Sequence, residues 1–314
     1  MELNKELLKD LYMIDHPSGS EHQMISYIIN YCYQIPNITF ELDHYNNLFI
    51  TKNTNNPKTY PCLIAHTDQI PTSKGAYEIH ESNGIMYGIH KLNRTRCGLG
   101  ADDANGICVA LQLLRVIPDL KVIFTVEEEL GAKGAEEVCF NTDFLCDIKY
   151  FLQADRRGSS DLIVHTNGID VASEEFIADL KPIADKYKYS ENFGTYTDVG
   201  EIVSETGICG VNISCGYMKE HTANEYCVLS DLENCLNFIH EIILTLNSDK
   251  IYKIEILPQY YNYSGYDFEW KPSPEVEHPE ESEYPKEYNP YSEDIPCNSC
   301  REMDCMNCPH MNDF

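Results

Sequence analysis

No apolar segment of this chain reaches the ~18 residues that suggest a membrane-crossing helix. The opening Met-Glu-Leu-Asn-Lys-Glu-Leu-Leu-Lys carries charges where a signal peptide keeps an unbroken apolar stretch, so a cytoplasmic location is the expectation. Positive charge is scarce: 23 Lys and Arg stand against 51 Asp and Glu, a formal charge of −28. Such a surface repels phosphate backbones and anionic lipid, which sets aside nucleic-acid and membrane partners and favours cationic or amine-bearing ligands. The plain alternative is that the acidity only keeps the chain soluble. No internal repeat is present. A disulfide framework is not indicated either, because ten of the 14 cysteines are scattered singly through apolar runs, as at Cys62, Cys108, Cys139 and Cys235. That placement reads as reduced core thiols.

What remains is ample for a globular enzyme. At 314 residues and 43% hydrophobic content the chain can bury a large core, with one main domain and an appendage as the first expectation. Leu7, Leu8 and Leu11 mark a short amphipathic helix, and Ser20 with Gln23 reads as the capping box of a second, whose Ile25, Ile28, Ile29 and Cys32 should face a sheet. Strands are expected over 39–50, 60–65, 120–126, 149–153, 162–166 and 210–214. Helices are expected over 104–116, 173–187 and 231–246, the last capped by Ser230 with Glu233. This alternation implies an α/β domain over 1–257 with helices on both faces of its sheet. From about Pro258 the composition turns to Tyr, Pro and Glu, an acidic tail over 258–295 without a trusted period. A cysteine-rich end follows at 296–314.

Residues able to bind metal recur where apolar strands end, which is where side chains converge at the edge of an open α/β sheet. His66 ends the 60–65 run in His66-Thr-Asp68, a spacing that lets Asp68 orient the imidazole from the same side of the strand. Asp102 lies in Gly98-Leu-Gly-Ala-Asp-Asp-Ala-Asn-Gly106, where a carboxylate can approach two cations without crowding; read alone, Asp102 or Asp103 would cap the following helix. Glu127, Glu128 and Glu129 follow a buried strand directly, and three adjacent carboxylates there make sense as a metal and proton-transfer site unless they are a solvated loop. Asp155 ends the 149–153 strand, and His221 follows the 210–214 strand. Two imidazoles and three carboxylates form a mixed N/O set suited to zinc, with manganese or cobalt as alternatives.

Taken in order, His66-Thr-Asp68-Gln-Ile-Pro71, Gly100-Ala-Asp102-Asp103, Glu128-Glu129-Leu-Gly131, Gln153-Ala-Asp155 and His221 resemble the co-catalytic zinc exopeptidases. That superfamily contains peptidase T, the carboxypeptidase G group and the bacterial leucyl and glutamyl aminopeptidases. The resemblance spans about residues 5–246 and implies a mixed, largely parallel twisted sheet. Asp43-His-Tyr-Asn-Asn-Leu48 also resembles the family's Asp-x-x-Gly-Asn-Leu turn, with Asn46 in place of glycine, a residue that can still enter left-handed conformations. By the same resemblance Glu128 is the general base, His66, Asp102 and Asp155 hold one Zn2+, and Asp102, Glu129 and His221 hold the other. The Asp102–Asp103 peptide is implied to be cis. Thr197 and Asp198 resemble the family's Thr-Asp-Ala segment, and Tyr217 is expected in the pocket. Only 66 positions separate Asp155 from His221 and 36 separate His66 from Asp102, too few for the lid or second barrel that relatives insert there. A lidless aminopeptidase acting on small peptides is therefore expected. The alternatives are an amidohydrolase or deacylase of N-acyl amino acids, and a non-catalytic binding or scaffold protein on the same fold.

Outside the family pattern, Cys297-Asn-Ser-Cys300-Arg-Glu-Met-Asp-Cys305-Met-Asn-Cys308 pairs two Cys-x-x-Cys units across a short spacer. Four thiolates so close can make a zinc knuckle holding a third, structural Zn2+, with disulfides or unliganded thiols as alternatives. Together with the acidic tail it is the expected docking point for a protein partner.

Overall fold

The computed structural model describes residues 1–71 and 76–256, which fall within one unit, Met1–Pro258. The acidic segment 258–295 and the cysteines Cys297, Cys300, Cys305 and Cys308 lie outside the described residues. Helices α1 (Lys5–Tyr12) and α2 (His22–Cys32) lead into strands β1 (Ile38–Leu42), β2 (Leu48–Asn53) and β3 (Tyr60–His66). Next come β4 (Tyr77–Ser82), β5 (Ile85–His90), the short β6 (Arg96–Cys97), α3 (Ala101–Val116) and β7 (Asp119–Thr125). After a 3-10 turn at Glu128–Leu130 the chain forms α4 (Lys133–Val138), α5 (Thr142–Leu145), β8 (Ile148–Arg156), β9 (Asp161–Thr166) and β10 (Ile169–Asp170). It continues through α6 (Glu174–Tyr187), β11 (Ser190–Gly194), α7 (Asp198–Thr206), β12 (Gly210–Ser214), β13 (Tyr217–Met218), β14 (Tyr226–Val228) and α8 (Leu229–Thr245).

Nine strands form the main sheet in the order β1-β2-β7-β3-β8-β12-β9-β10, with β11 on the other flank of β9. Its centre, β7-β3-β8-β12, is parallel, and the antiparallel pairs lie outward of it. The central strands read as continuous apolar runs because both faces are covered. Their two-residue period sends alternate side chains to two separate cores. Leu63, Ala65, Val122, Phe124, Tyr150 and Leu152 face α1, α2, α3, α6 and α8. Cys62, Ile64, Ile123 and Phe151 face α4, α5 and α7. The expected α/β domain with helices on both faces is thus the observed one.

Departures from the sequence reading have local causes. The run 39–50 is two strands, because Asp43 Oδ1 accepts the N–H groups of Tyr45 and Asn47 at 2.9 and 2.8 Å and folds the chain back, with Asn46 at φ 77°. Ser20 does not cap α2: Glu21 occupies that position, and its carboxylate instead accepts from the Gly19 N–H at 2.7 Å. Ser230 lies inside the first turn of α8, which starts at Leu229 with no side-chain cap. The hairpin β4–β5 escaped notice because most of its residues are only half-buried and polar ones such as Glu78, His80 and His90 interrupt the apolar ones. It fills the 36-position interval between His66 and Asp102 and pairs through β5 with β14, giving a second, five-stranded sheet with β6 and β13. Among the described residues no helix is long and apolar enough to cross a membrane.

Candidate active site

Parallel strands bring their carboxyl ends to one rim, and the candidate ligands gather there. His66 is the last residue of β3, Glu128 and Glu129 form the turn after β7, and Asp155 sits near the end of β8. Asp102 stands at the entry to α3, where Asp102 and Asp103 leave helical geometry and the peptide between them is cis. His221 lies between β13 and β14 with φ 59°.

The five expected ligands converge. His66 Nε2 lies 2.9 Å from Asp102 Oδ1 and 3.7 Å from Asp155 Oδ1. His221 Nε2 lies 2.7 Å from Glu129 Oε1 and 3.3 Å from Asp102 Oδ2. Asp102 therefore turns one oxygen to each imidazole. Asp103 is the capping residue of the pair, its Oδ1 accepting the Gly106 N–H at 2.9 Å, while its buried Oδ2 has no hydrogen-bond partner. Asp103 also brings an oxygen close to His66 and Asp155.

Asp68 does more than orient an imidazole. Its Oδ1 lies 3.3 Å from His66 Nδ1 and accepts the Glu128 N–H at 2.9 Å; its Oδ2 accepts the Glu129 N–H at 3.2 Å and the Ser18 hydroxyl at 2.7 Å. One buried carboxylate thus fixes both the histidine and the turn that carries two glutamates. Asn47 anchors the same turn from the other side: its amide donates to the Gly134 carbonyl and its Oδ1 accepts the Val126 N–H at 3.1 Å. A Cβ on Gly134 would lie 2.3 Å from the Val126 carbonyl oxygen, so only glycine fits this close approach. Glu127 points away, accepting from the Tyr45 hydroxyl at 2.7 Å.

Electrostatics follow from crowding acids around two imidazoles. Burial alone would lower the His66 pKa, but Asp102, Asp155 and Asp68 together hold it well above the usual value. Asp102 and Glu129 push His221 up to about 10. Burial works against ionised Asp102, yet the two imidazoles outweigh it and hold Asp102 below the usual carboxylate range. Burial, then the charge of Asp102, raises Asp155 to about 7. Burial first, aided by Asp198, Asp155 and Asp102, pushes Glu128 up to about 10. Oxygen and nitrogen atoms of Asp102, Glu129 and His221, and of His66, Asp103 and Asp155, lie within 4.8 Å of one another. Closely spaced imidazoles and carboxylates with an orphaned buried oxygen among them fit divalent cations.

The site opens into a cavity of roughly 360 Å³ bordered by Tyr217, Thr197, Arg156, Arg157 and Glu220. Tyr217 donates to Asp155 Oδ1 at 3.2 Å. Thr197 turns its hydroxyl inward to Gln153 Oε1 at 2.9 Å. Asp198 lies beneath the floor, fully buried, and accepts from the Thr125 hydroxyl at 2.5 Å. Sequence reasoning missed Ser18, Asn47, Arg156, Arg157 and Glu225. In a chain with 51 acids one more glutamate carries no signal, and the arginines sit in no motif.

Residues 90–238 match the M42 glutamyl aminopeptidase family. A tripeptidase from Staphylococcus aureus shares the fold with a TM-score of 0.67 at 16% identity, the match covering 78% of this chain and 98% of that one. Aminopeptidase PepT from Bacillus cereus gives 0.63 at 14% identity over 78% and 100%, and the TET1 peptidase of Pyrococcus horikoshii gives 0.56 at 15% over 75% and 97%. No curated protein sequence matches the chain. The matched stretch includes Asp102, Glu128, Glu129, Asp155 and His221, and the match supports a metal-dependent aminopeptidase.

Proposed function

We propose that this enzyme removes N-terminal residues from small peptides at a two-cation centre. His66, Asp102 and Asp155 hold one ion, Asp102, Glu129 and His221 hold the other, and Glu128 handles the proton. The observation that carries this reading is Asp102, whose two oxygens face different imidazoles at 2.9 and 3.3 Å, so that one carboxylate serves two adjacent positions. Zinc suits the N/O donor set, with manganese and cobalt as alternatives. Divalent ions held there would acidify a water molecule, polarise a substrate carbonyl and offset the crowding of carboxylates.

The remaining work falls to side chains. Glu128, half-buried at the cavity wall and ionised once neighbouring cations offset the surrounding acids, takes the proton of the attacking water and passes it to the leaving amine. Asp68 bonds to the Glu128 backbone and to His66, so base and ligand are positioned by one group. Arg157, exposed at the cavity edge, suits a carboxylate such as the free end of a short peptide. We read the chain as lidless, since 66 positions between Asp155 and His221 are occupied by β9 to β13, which supports access by short peptides.

Metal-loaded protein should cleave free dipeptides and leave N-acetylated ones intact; cleavage confined to the acetylated set would instead make it a deacylase. Glu128→Gln should lower kcat by about 10²- to 10⁴-fold while retaining both ions. Wild-type turnover in that variant would remove Glu128 from the mechanism.

A further inference from the structure

Glu225 is 2% exposed, and its carboxylate collects four consecutive backbone N–H groups. Leu99 and Gly100 donate to Oε2 at 2.7 and 2.8 Å; Ala101 and Asp102 donate to Oε1 at 2.8 and 3.3 Å. These residues are the loop that delivers Asp102. Glu225 itself sits four positions after His221, at the end of the loop that delivers that histidine. Its two ends therefore join the segments that carry Asp102 and His221.

The joint matters because His221 lies in the loop between β13 and β14. Its side chain is 39% exposed, it lies outside any strand, and its φ of 59° is uncommon for a residue other than glycine. Arg96 braces the same loop from β6, donating through Nη2 to the carbonyls of Asn224 and Glu225 at 3.2 and 2.9 Å while its guanidinium lies over the Tyr87 ring.

We propose that Glu225 is a positioning residue that sets the spacing of His221 against Asp102 and so builds the cation position formed by Asp102, Glu129 and His221. This rests on the two-cation reading of the site. A carboxylate suits the task because each oxygen accepts two N–H groups, whereas an amide in its place would turn an NH2 toward two of those donors. Groups that orient metal ligands in this way typically contribute 10- to 100-fold to affinity. Of the other position's ligands, His66 and Asp155 are carried by strands β3 and β8, so the Glu225 joint reaches it only through the shared Asp102.

The test is cobalt(II) titration of the full-length wild-type and Glu225→Gln proteins, followed by visible absorption. Thiolate-bound cobalt is recognised and set apart by its near-ultraviolet charge-transfer band. The wild type should take up two N/O-ligated ions, and Glu225→Gln should weaken one of them by about 10- to 100-fold and the other, which shares only Asp102 with the joint, by clearly less. A role confined to stability would lower the melting temperature and move neither ion. Unchanged affinities, or equal weakening of both ions, overturn the inference and leave the two-cation site standing; failure of the wild type to bind two such ions overturns both. Should Glu225→Gln not fold, Arg96→Met, which keeps Glu225 and loosens its loop, is expected to weaken the same single ion by a few-fold. Equal or absent weakening in that variant overturns the inference in the same way.

Discussion

His16 lies behind the site, 1% exposed, with Nδ1 placed 2.8 Å from the Thr67 carbonyl. That acceptor fixes the proton on Nδ1, leaving Nε2 as a bare lone pair with no partner among the described residues. Protonating it would bury a cation, and this burial, with the nearby His66, lowers the His16 pKa to about 4. Unfolded chains therefore bind a proton at His16 that the folded protein refuses between about pH 6.5 and 4. Stability from this group is full above that window and is lost as pH falls through it, by roughly 3 kcal/mol in all. Chemical denaturation at pH 7.5 and 4.5 should show a smaller pH penalty in His16→Gln than in wild type. Identical penalties would mean that His16 is not buried neutral. The same residue-level economy governs the site, where Asp68 alone bonds His66, Ser18 and the backbone of Glu128 and Glu129. From the sequence it was legible only as the partner of His66, because the other contacts cross fifty or more positions of chain.

Among the elements, caps show where local reading stops, since neither expected capping serine, Ser20 or Ser230, serves as a cap. Ser173 caps α6 with φ −74° and ψ 156°, and its hydroxyl accepts the Phe176 N–H at 3.2 Å. Ser230, with Glu233 at capping-box spacing, sits within α8, because Val228 and Leu229 are drawn into β14 and the core and the helix begins two residues earlier than the cap signal. Ser173→Ala should cost about 1 kcal/mol and Ser230→Ala less than about 0.5 kcal/mol in equilibrium unfolding. Equal losses would contradict this assignment of the helix starts. Strands β3, β7 and β8 were legible because both faces are buried, so composition alone marks them. The hairpin β4–β5 was not, since one sheet with half-buried residues on its strands gives neither an apolar run nor a clean alternation.

For the whole molecule, the dominant electrostatic fact is a rim of acids within a chain of charge −28. Cations that bind the folded site and not the unfolded chain stabilise by mass action, about 2.7 kcal/mol per site at a hundredfold excess over Kd. Stripping both with a chelator should lower the melting temperature by roughly 10–20 °C. Salt should restore part of the loss by screening the carboxylates. Loaded and stripped protein melting together would show that the acids are held without ions. Elemental analysis of the full chain should find two ions from the site, and a third if Cys297, Cys300, Cys305 and Cys308 form the expected knuckle.

The sequence by itself determined the α/β class and the central buried strands, and it put forward His66, Asp102, Glu128, Glu129, Asp155 and His221 as the candidate site. Apolar runs and the residue that ends each of them are local properties, and five ordered motifs constrain one another. Tertiary structure alone decided which oxygen faces which imidazole, that Asp103 caps while Asp102 is left for the site, and that Asp198 lies under the floor. It alone revealed Glu225 joining two loops that are 123 positions apart in the chain. Such facts belong to the convergence of distant backbone on one rim of a sheet, and a glutamate that accepts four N–H groups looks in one dimension like any of its fellows.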